Sequence, residues 1–435
     1  MLQVLSGVWA LLLGIVFIML GNGMHFTLIG LRGGLEGFSA AELAIVTSGY
    51  FLGFLSGARY TPVLIQRVGH VRVFAALGSF MSAGLIAFTL MAEPWAWTLL
   101  RVLIGFCMSG IYVAAESWLN NASTNESRGK VLSTYMIAQT LGIIGAQGLL
   151  TLGDAATSAL FIGASILVSV SFAPILLSIT PAPAAEVARP MSFRQLFSGS
   201  PLGAIGIFLL GGIYATQTGM GAVFGSQIAL TANEIALFVA MLFAGALILQ
   251  FPIGWLSDRL DRRKVILGTA AMGAVACGLG WMAGGAPGPD GTRDLWPLMA
   301  AAFLAGGMTT PLYALLLAYT NDFLPTEDMA AASGGLVFTF GLGAILGPLL
   351  TGWAMEGVGP GGFWIVTGAT FACLAVYATY RMSQRAAPQA SETDAYLGVL
   401  PTATAVAVEA AGTWAVENAE AEAEAAAAEG AEPDR

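Results

Sequence analysis

The chain has 435 residues, 57% of them hydrophobic and 10% charged, with a mean hydropathy of +0.77. A soluble globular protein carries about 25% charged residues, so this composition excludes that class and implies a chain that crosses a membrane many times. The formal charge of −9 belongs to one end: residues 1–385 hold 16 Lys/Arg and 16 Asp/Glu, whereas residues 386–435 hold ten acids and one Arg.

Roughly 20 apolar residues cross a bilayer. Twelve runs meet that test, near 6–31, 41–65, 71–92, 95–119, 130–153, 158–179, 201–224, 234–256, 264–284, 295–320, 329–355 and 361–381. The first lacks a basic leader and a small-residue cleavage site, so it reads as a spanning helix and not as a cleaved signal. Cys107, Cys277 and Cys373 each lie inside an apolar run, with no metal or disulfide spacing. The polar stretch 180–200, with Pro181, Pro183, Arg189 and Arg194, splits the runs six and six. The expected organisation is a six-helix bundle over 1–180, a cytoplasmic linker over 181–200, a second six-helix bundle over 201–385 and an acidic Ala/Glu-rich tail over 386–435. The tail offers few core-forming side chains and is expected to be disordered.

Lys and Arg concentrate on cytoplasmic loops of membrane proteins. With the N-terminus inside, the inner loops and the start of the tail hold Arg67, Arg72, Arg128, Lys130, Arg189, Arg194, Arg259, Arg262, Arg263, Lys264, Arg381 and Arg385. The outer loops hold only Arg32 and Arg293, so both termini are expected in the cytoplasm.

The fourth run is the most informative. Arg101, Gly105, Ser109, Tyr112 and Glu116 follow at spacings of 4, 4, 3 and 4. On a helix they share an arc of about 80°. Such a stripe must face protein or a water-filled cavity. Arg101 fits either a substrate or coupling site or a structural brace between helices. Glu116 lies ~22 Å further along the helix, too far to pair with Arg101. It fits an inner gate partner for Arg59 or Arg72, or a proton or substrate site. In the first run Asn22, His25 and Arg32 are cavity or outer-gate candidates; the ordinary pKa of His25 suits proton coupling. The seventh run offers Tyr214, Gln217 and Thr218, and the tenth Thr309, Tyr313 and Thr320, groups that also serve as helix glue.

The densest charge cluster is Gly254-Trp255-Leu256-Ser257-Asp258-Arg259-Leu260-Asp261-Arg262-Arg263-Lys264, between the eighth and ninth runs. Gly followed by Asp-Arg and then a basic triplet resembles the signature loop of the major facilitator superfamily. A weaker copy joins the second and third runs: Gln66-Arg67 falls on Asp258-Arg259, and Arg72 on Lys264. Arg101-x-x-x-Gly105 resembles the superfamily's helix-4 signature, where the Arg is linked to proton coupling. Ala115-Glu116-Ser117-Trp118-Leu119-Asn120 looks like the YcaD-like branch. Gly347-Pro348 is reminiscent of the antiporter signature, but that belongs on the fifth helix, where this chain has Gly145-Ala146-Gln147 and no Pro.

The resemblance implies an all-α polytopic membrane protein with 12 transmembrane helices in two pseudo-symmetric six-helix bundles. It implies a secondary transporter of the bacterial inner membrane, working by alternating access on a small organic solute with protons. The expected cavity set is Asn22, His25, Arg101, Tyr112, Tyr214, Gln217, Thr309 and Tyr313. The expected gating set is Arg59, Gln66, Arg67, Arg72, Glu116, Asp258, Arg259, Arg262 and Arg263. Efflux of a drug or metabolite in place of uptake, and a transporter-derived sensor without flux, are the alternatives. No phosphate-binding Gly-x-x-x-x-Gly-Lys-Ser/Thr and no His/Cys cluster occur. The chain is therefore not expected to be an enzyme, to hold a cofactor or metal, or to bind nucleic acid; it is expected to act as a monomer in the bilayer.

Overall fold

The computed structural model describes residues 2–176, 190–284, 294–325, 328–384, 396, 398–415 and 417. Most of the linker, with Arg189, and Arg293, Arg385 and the rest of the tail lie outside the described residues. Among the described residues every regular element is a helix.

The first half comprises α1 (Leu2–Leu35), α2 (Ala40–Val68), α3 (His70–Ala87), α4 (Pro94–Asn121), α5 (Asn125–Leu150), α6 (Ala159–Val170) and α7 (Phe172–Leu176). The short α8 (Phe193–Gly199) leads to the second half: α9 (Pro201–Gln227), α10 (Ala232–Ser257), α11 (Arg262–Ala283), α12 (Leu295–Asn321), α13 (Met329–Val358) and α14 (Gly362–Gln384). Ten of these helices are long and apolar enough to cross a membrane. The 26-residue α5 and the shorter apolar α6, continued by α7, complete the first set of six.

The two halves repeat at the level of local chemistry. A capping box opens α2, where Ser39 and Glu42 exchange hydrogen bonds with each other's backbone, and another opens α10 with Thr231 and Glu234. Gly69, at φ 87°, makes the one-residue turn from α2 to α3 in a conformation that side chains disfavour. Helices α2 and α4 touch backbone to backbone, and so do their counterparts α10 and α12. Without a hydrophobic drive between helices in lipid, such close approach supplies much of the attraction. A Cβ added at Gly245 would collide with the carbonyl of Phe303 on α12, whereas Gly268 on α11 has open space around it. Gly245→Val is therefore expected to destabilise the fold by about 3 kcal/mol or more, and Gly268→Val to be tolerated. Monodisperse yield from detergent extracts checks this pair.

The halves meet along α1 with α9 and α2 with α13, and α5 packs on α10. Towards one face that meeting is tight. Gly30 presses on Ala222, Gly34 on Ser226, Gly219 on Thr47 and Gly352 on Ala44. The Ala41 N–H also donates to Glu356 Oε1 at 3.1 Å, and the Ser48 hydroxyl to the Ile345 carbonyl at 2.8 Å. The other face carries the loops around 62–72 and 254–264, and is called the basic face below.

On the basic face the expectation of a disordered tail fails for residues 398–415. The chain re-enters between the halves, and residues 405–415 form a helix. Val408 is fully buried, and Thr404, Ala407, Ala410, Ala411 and Ala415 are buried too. The helix is rich in Ala, with Glu409 facing out. A slender helix of this kind needs no large side chains to be buried, because walls on both sides cover it.

Candidate functional site

A cavity of about 40 Å³ lies between the halves. Asn22, Phe26, Tyr50, Tyr112 and Gln147 line it from the first half, and Tyr214, Thr218 and Phe243 from the second. Thr402 of the tail closes it on the basic side. Uncharged polar groups and aromatic edges dominate, which suits an organic solute carrying hydrogen-bonding groups and an apolar face. Thr27 donates to Gln147 Oε1 at 2.9 Å and fixes that amide.

Of the residues expected to line the cavity, Asn22, Tyr112 and Tyr214 do so. His25, Arg101 and Tyr313 stand behind the wall, whereas Gln217 and Thr309 line a smaller adjoining cavity that shares Tyr214, Thr218 and Phe243 with it. Arg101 is 1% exposed, with its guanidinium 4.0 Å from the Phe26 ring centre and 4.5 Å from that of Tyr50. Its Nη1 is 3.2 Å from His25 Nδ1. Among the described residues no ion pair involves Arg101. It therefore sits one layer out, holding two rings that face the cavity, with His25 as its polar neighbour. In the second half Thr309 donates to Gln217 Oε1 at 2.9 Å, both buried. Tyr313 is fully buried with its ring on Phe340, away from the main cavity. Tyr50 and Gln147 were missed as cavity residues. A Tyr within the small-residue start of α2, and a Gln seven residues after Thr140 on α5, were the available signals.

The gating set comes apart. Arg59, Gln66, Arg67 and Arg72 are exposed, and among the described residues none joins an ion pair. Glu116 does not meet Arg59 or Arg72. Its Oε1 accepts from the Tyr135 hydroxyl at 3.2 Å, and its Oε2 accepts from the Thr404 backbone N–H at 2.9 Å and from the Thr404 hydroxyl. The tail, reaching the carboxylate between the halves, took the place expected for an arginine. Arg259 stacks on Trp255 in the last turn of α10, 4.1 Å from the ring centre. Arg262 forms a buried bridge to Asp322 at the end of α12, 2.6 Å long, with side-chain exposures of 4% and 1%. It ties the 254–264 loop to its own half and spans no gap between halves. Arg263 pairs with Asp261 at 2.9 Å. Asp261, which stands where the superfamily pattern has Gly, caps α11 by accepting from the Arg263 N–H. The Arg263 hydrogen bonds hold its carboxyl below the usual range. Asp258 accepts from the Tyr396 N–H at 3.0 Å, again a bond to the tail. Arg32 pairs with Glu36 at 2.6 Å and reaches the carbonyls of Ala155 and Ala156, all in the first half.

Two repeated six-helix halves around a central polar cavity define a membrane transporter fold. The chain belongs to the major facilitator superfamily, whose sequence model matches residues 11–230 and again 203–416. Among similar proteins is the uncharacterized MFS-type transporter YfkF of Bacillus subtilis, 26% identical over 341 residues, or 77% of this chain and 85% of that one. Another is the MFS-type transporter YcaD of Escherichia fergusonii, 23% identical over 354 residues, covering 80% and 89%. Solved structures of the same fold include a mutant of the nucleoside transporter NupG, with a TM-score of 0.72 at 15% identity, covering 86% of this chain and 98% of that one. A bacterial homologue of the lysosomal transporter Spinster, inward-facing and unoccupied, gives 0.64 at 15% identity, covering 94% and 97%.

Proposed function

We propose that this protein carries a small organic solute across the bacterial inner membrane by alternating access, with the basic face in the cytoplasm and proton movement as the coupling. The observation that carries this reading is the central cavity, walled by both halves and sealed towards the opposite face. Rocking the halves about such a site exposes it to each side in turn. The Lys/Arg asymmetry supports the orientation. Proton coupling draws on His25, the titratable member of a buried basic pair one layer behind the wall: a proton on it would stand beside the Arg101 guanidinium, which packs on Phe26 and Tyr50. One neighbour of the same fold, at a TM-score of 0.51, is a fucose:proton symporter by its description.

The test is a solute panel in proteoliposomes with an imposed pH gradient and a pH dye inside. Nucleosides, sugars and aromatic organic cations cover the chemistry of the wall. The expected result is dissipation of the gradient by at least one solute class, absent from protein-free vesicles. The sensor alternative is favoured by one observation, the tail seated in the mouth of the cavity. It predicts saturable solute binding with no flux from either side.

A further inference from the structure

We propose that the described tail residues, 396, 398–415 and 417, form an autoinhibitory plug: a built-in peptide ligand that occupies the mouth between the halves on the basic face and blocks this protein's own solute path. The segment grips both halves along its length. At its start the Tyr396 ring lies over Gly254, and its N–H binds Asp258 of the second half. Thr404 donates twice to Glu116 of the first half, deep in the mouth. Two residues before it, Thr402 forms part of the cavity wall itself. Beyond, Gly412 packs on Asn321 of the second half and the Trp414 ring covers Gly129 of the first. Arg128 and Glu417 form an ion pair at 3.6 Å at the far end.

This placement has two consequences. A solute cannot reach the cavity from the basic face while Thr402 closes it. The halves cannot close on the basic face either, because a helix stands between them, so the opposite face cannot open. The plug therefore stops the cycle at one stage, and release of the tail is a step that flux requires. Glu116 is the anchor: a buried carboxylate satisfied partly by the tail must find other donors, or take up a proton, once the tail leaves. The segment is part of the chain, so its local concentration is high and weak individual contacts suffice to seat it.

The inference rests on the transport reading for its meaning, but its test needs no flux. Full-length protein lacking Cys107, Cys277 and Cys373 carries Asn321→Cys with Gly412→Cys, and Thr218→Cys as a reporter in the cavity wall. A Cβ at position 412 would lie 3.0 Å from the Asn321 amide nitrogen and 4.0 Å from its Cγ, so the two side chains are in contact and a cysteine pair closes with a small shift of the tail. Vesicles with the basic face outward receive a membrane-impermeant maleimide, and mass spectrometry reads the peptide carrying position 218. Oxidation is expected to form the disulfide and protect the reporter. Reduction should speed its labelling by about tenfold or more, the factor expected if the open mouth is otherwise rare. Thr404→Val, which removes the hydroxyl on Glu116, should speed labelling further in protein without the engineered pair. Equal labelling in the oxidised, reduced and Thr404→Val proteins overturns the plug, as does failure of the pair to crosslink. Absence of flux in protein whose reporter labels freely, with the tail released, would count against the transport reading alone.

Discussion

Asp322→Ala is expected to lower the stability of the folded protein by about 3–5 kcal/mol, because it leaves the Arg262 guanidinium buried without its carboxylate. The bridge is short and nearly closed to solvent at both ends, and Arg262 Nε also donates to Ser257 at 3.3 Å. Its work is to pin the start of α11 to the end of α12. The double replacement Arg262→Met with Asp322→Leu removes both charges and should recover most of the loss, since an apolar pair avoids the desolvation cost. Survival on size-exclusion chromatography after graded heating measures all three proteins. If Asp322→Ala melts like the wild type but changes maleimide access to the cavity, the pair is a gate after all.

Arg101→Ala is expected to abolish solute flux while leaving membrane insertion and yield unchanged. A desolvated cation against an aromatic face contributes about 2 kcal/mol, and here one guanidinium serves two rings. Without it Phe26 and Tyr50 lose the layer that sets their position, and the first half of the cavity wall loosens. Arg101→Lys keeps the charge but not the flat surface that stacks on both rings, so it should restore only a small part of the flux. His25→Gln separates the roles: downhill exchange should persist while accumulation driven by a pH gradient disappears. Flux of Arg101→Ala equal to wild type would remove the residue from the mechanism.

Helices and halves were legible because each rests on a property the chain repeats. Twelve apolar runs and two basic hairpins need no knowledge of what touches what. The cavity was legible only in part. A polar residue inside an apolar helix signals that it faces something, and Arg101, His25, Gln217 and Thr309 do face something. Arg101 and His25 face each other in the layer behind the wall, Gln217 and Thr309 pair beside a smaller adjoining cavity, and pairings between separate helices leave no local signature. Tyr50 and Gln147 were overlooked because their own helices carry no stripe as regular as that of α4. The tail was misread for a different reason. Hydrophobic periodicity reports a helix lying on one surface, with one face to water. A helix of Ala, Val and Thr held between two walls shows no such contrast, and its burial comes from the shape of the mouth.

The seam on the face away from the basic loops is made of Gly30, Gly34, Gly219 and Gly352 against Ala, Ser and Thr. Contacts of this kind are dispersive and fall off within an ångström of separation. Apart from the Glu356 carboxylate on the Ala41 N–H they carry no charge, so ionic strength and membrane voltage have little to act on there. Such a seam has no half-open state of intermediate energy: once parted slightly it has lost most of its attraction. The tail side is the reverse, held by carboxylates at Glu116, Asp258 and Glu417 whose grip depends on charge and water. The protein thus has one exit that opens all at once and is deaf to its electrical surroundings, and another that listens to them.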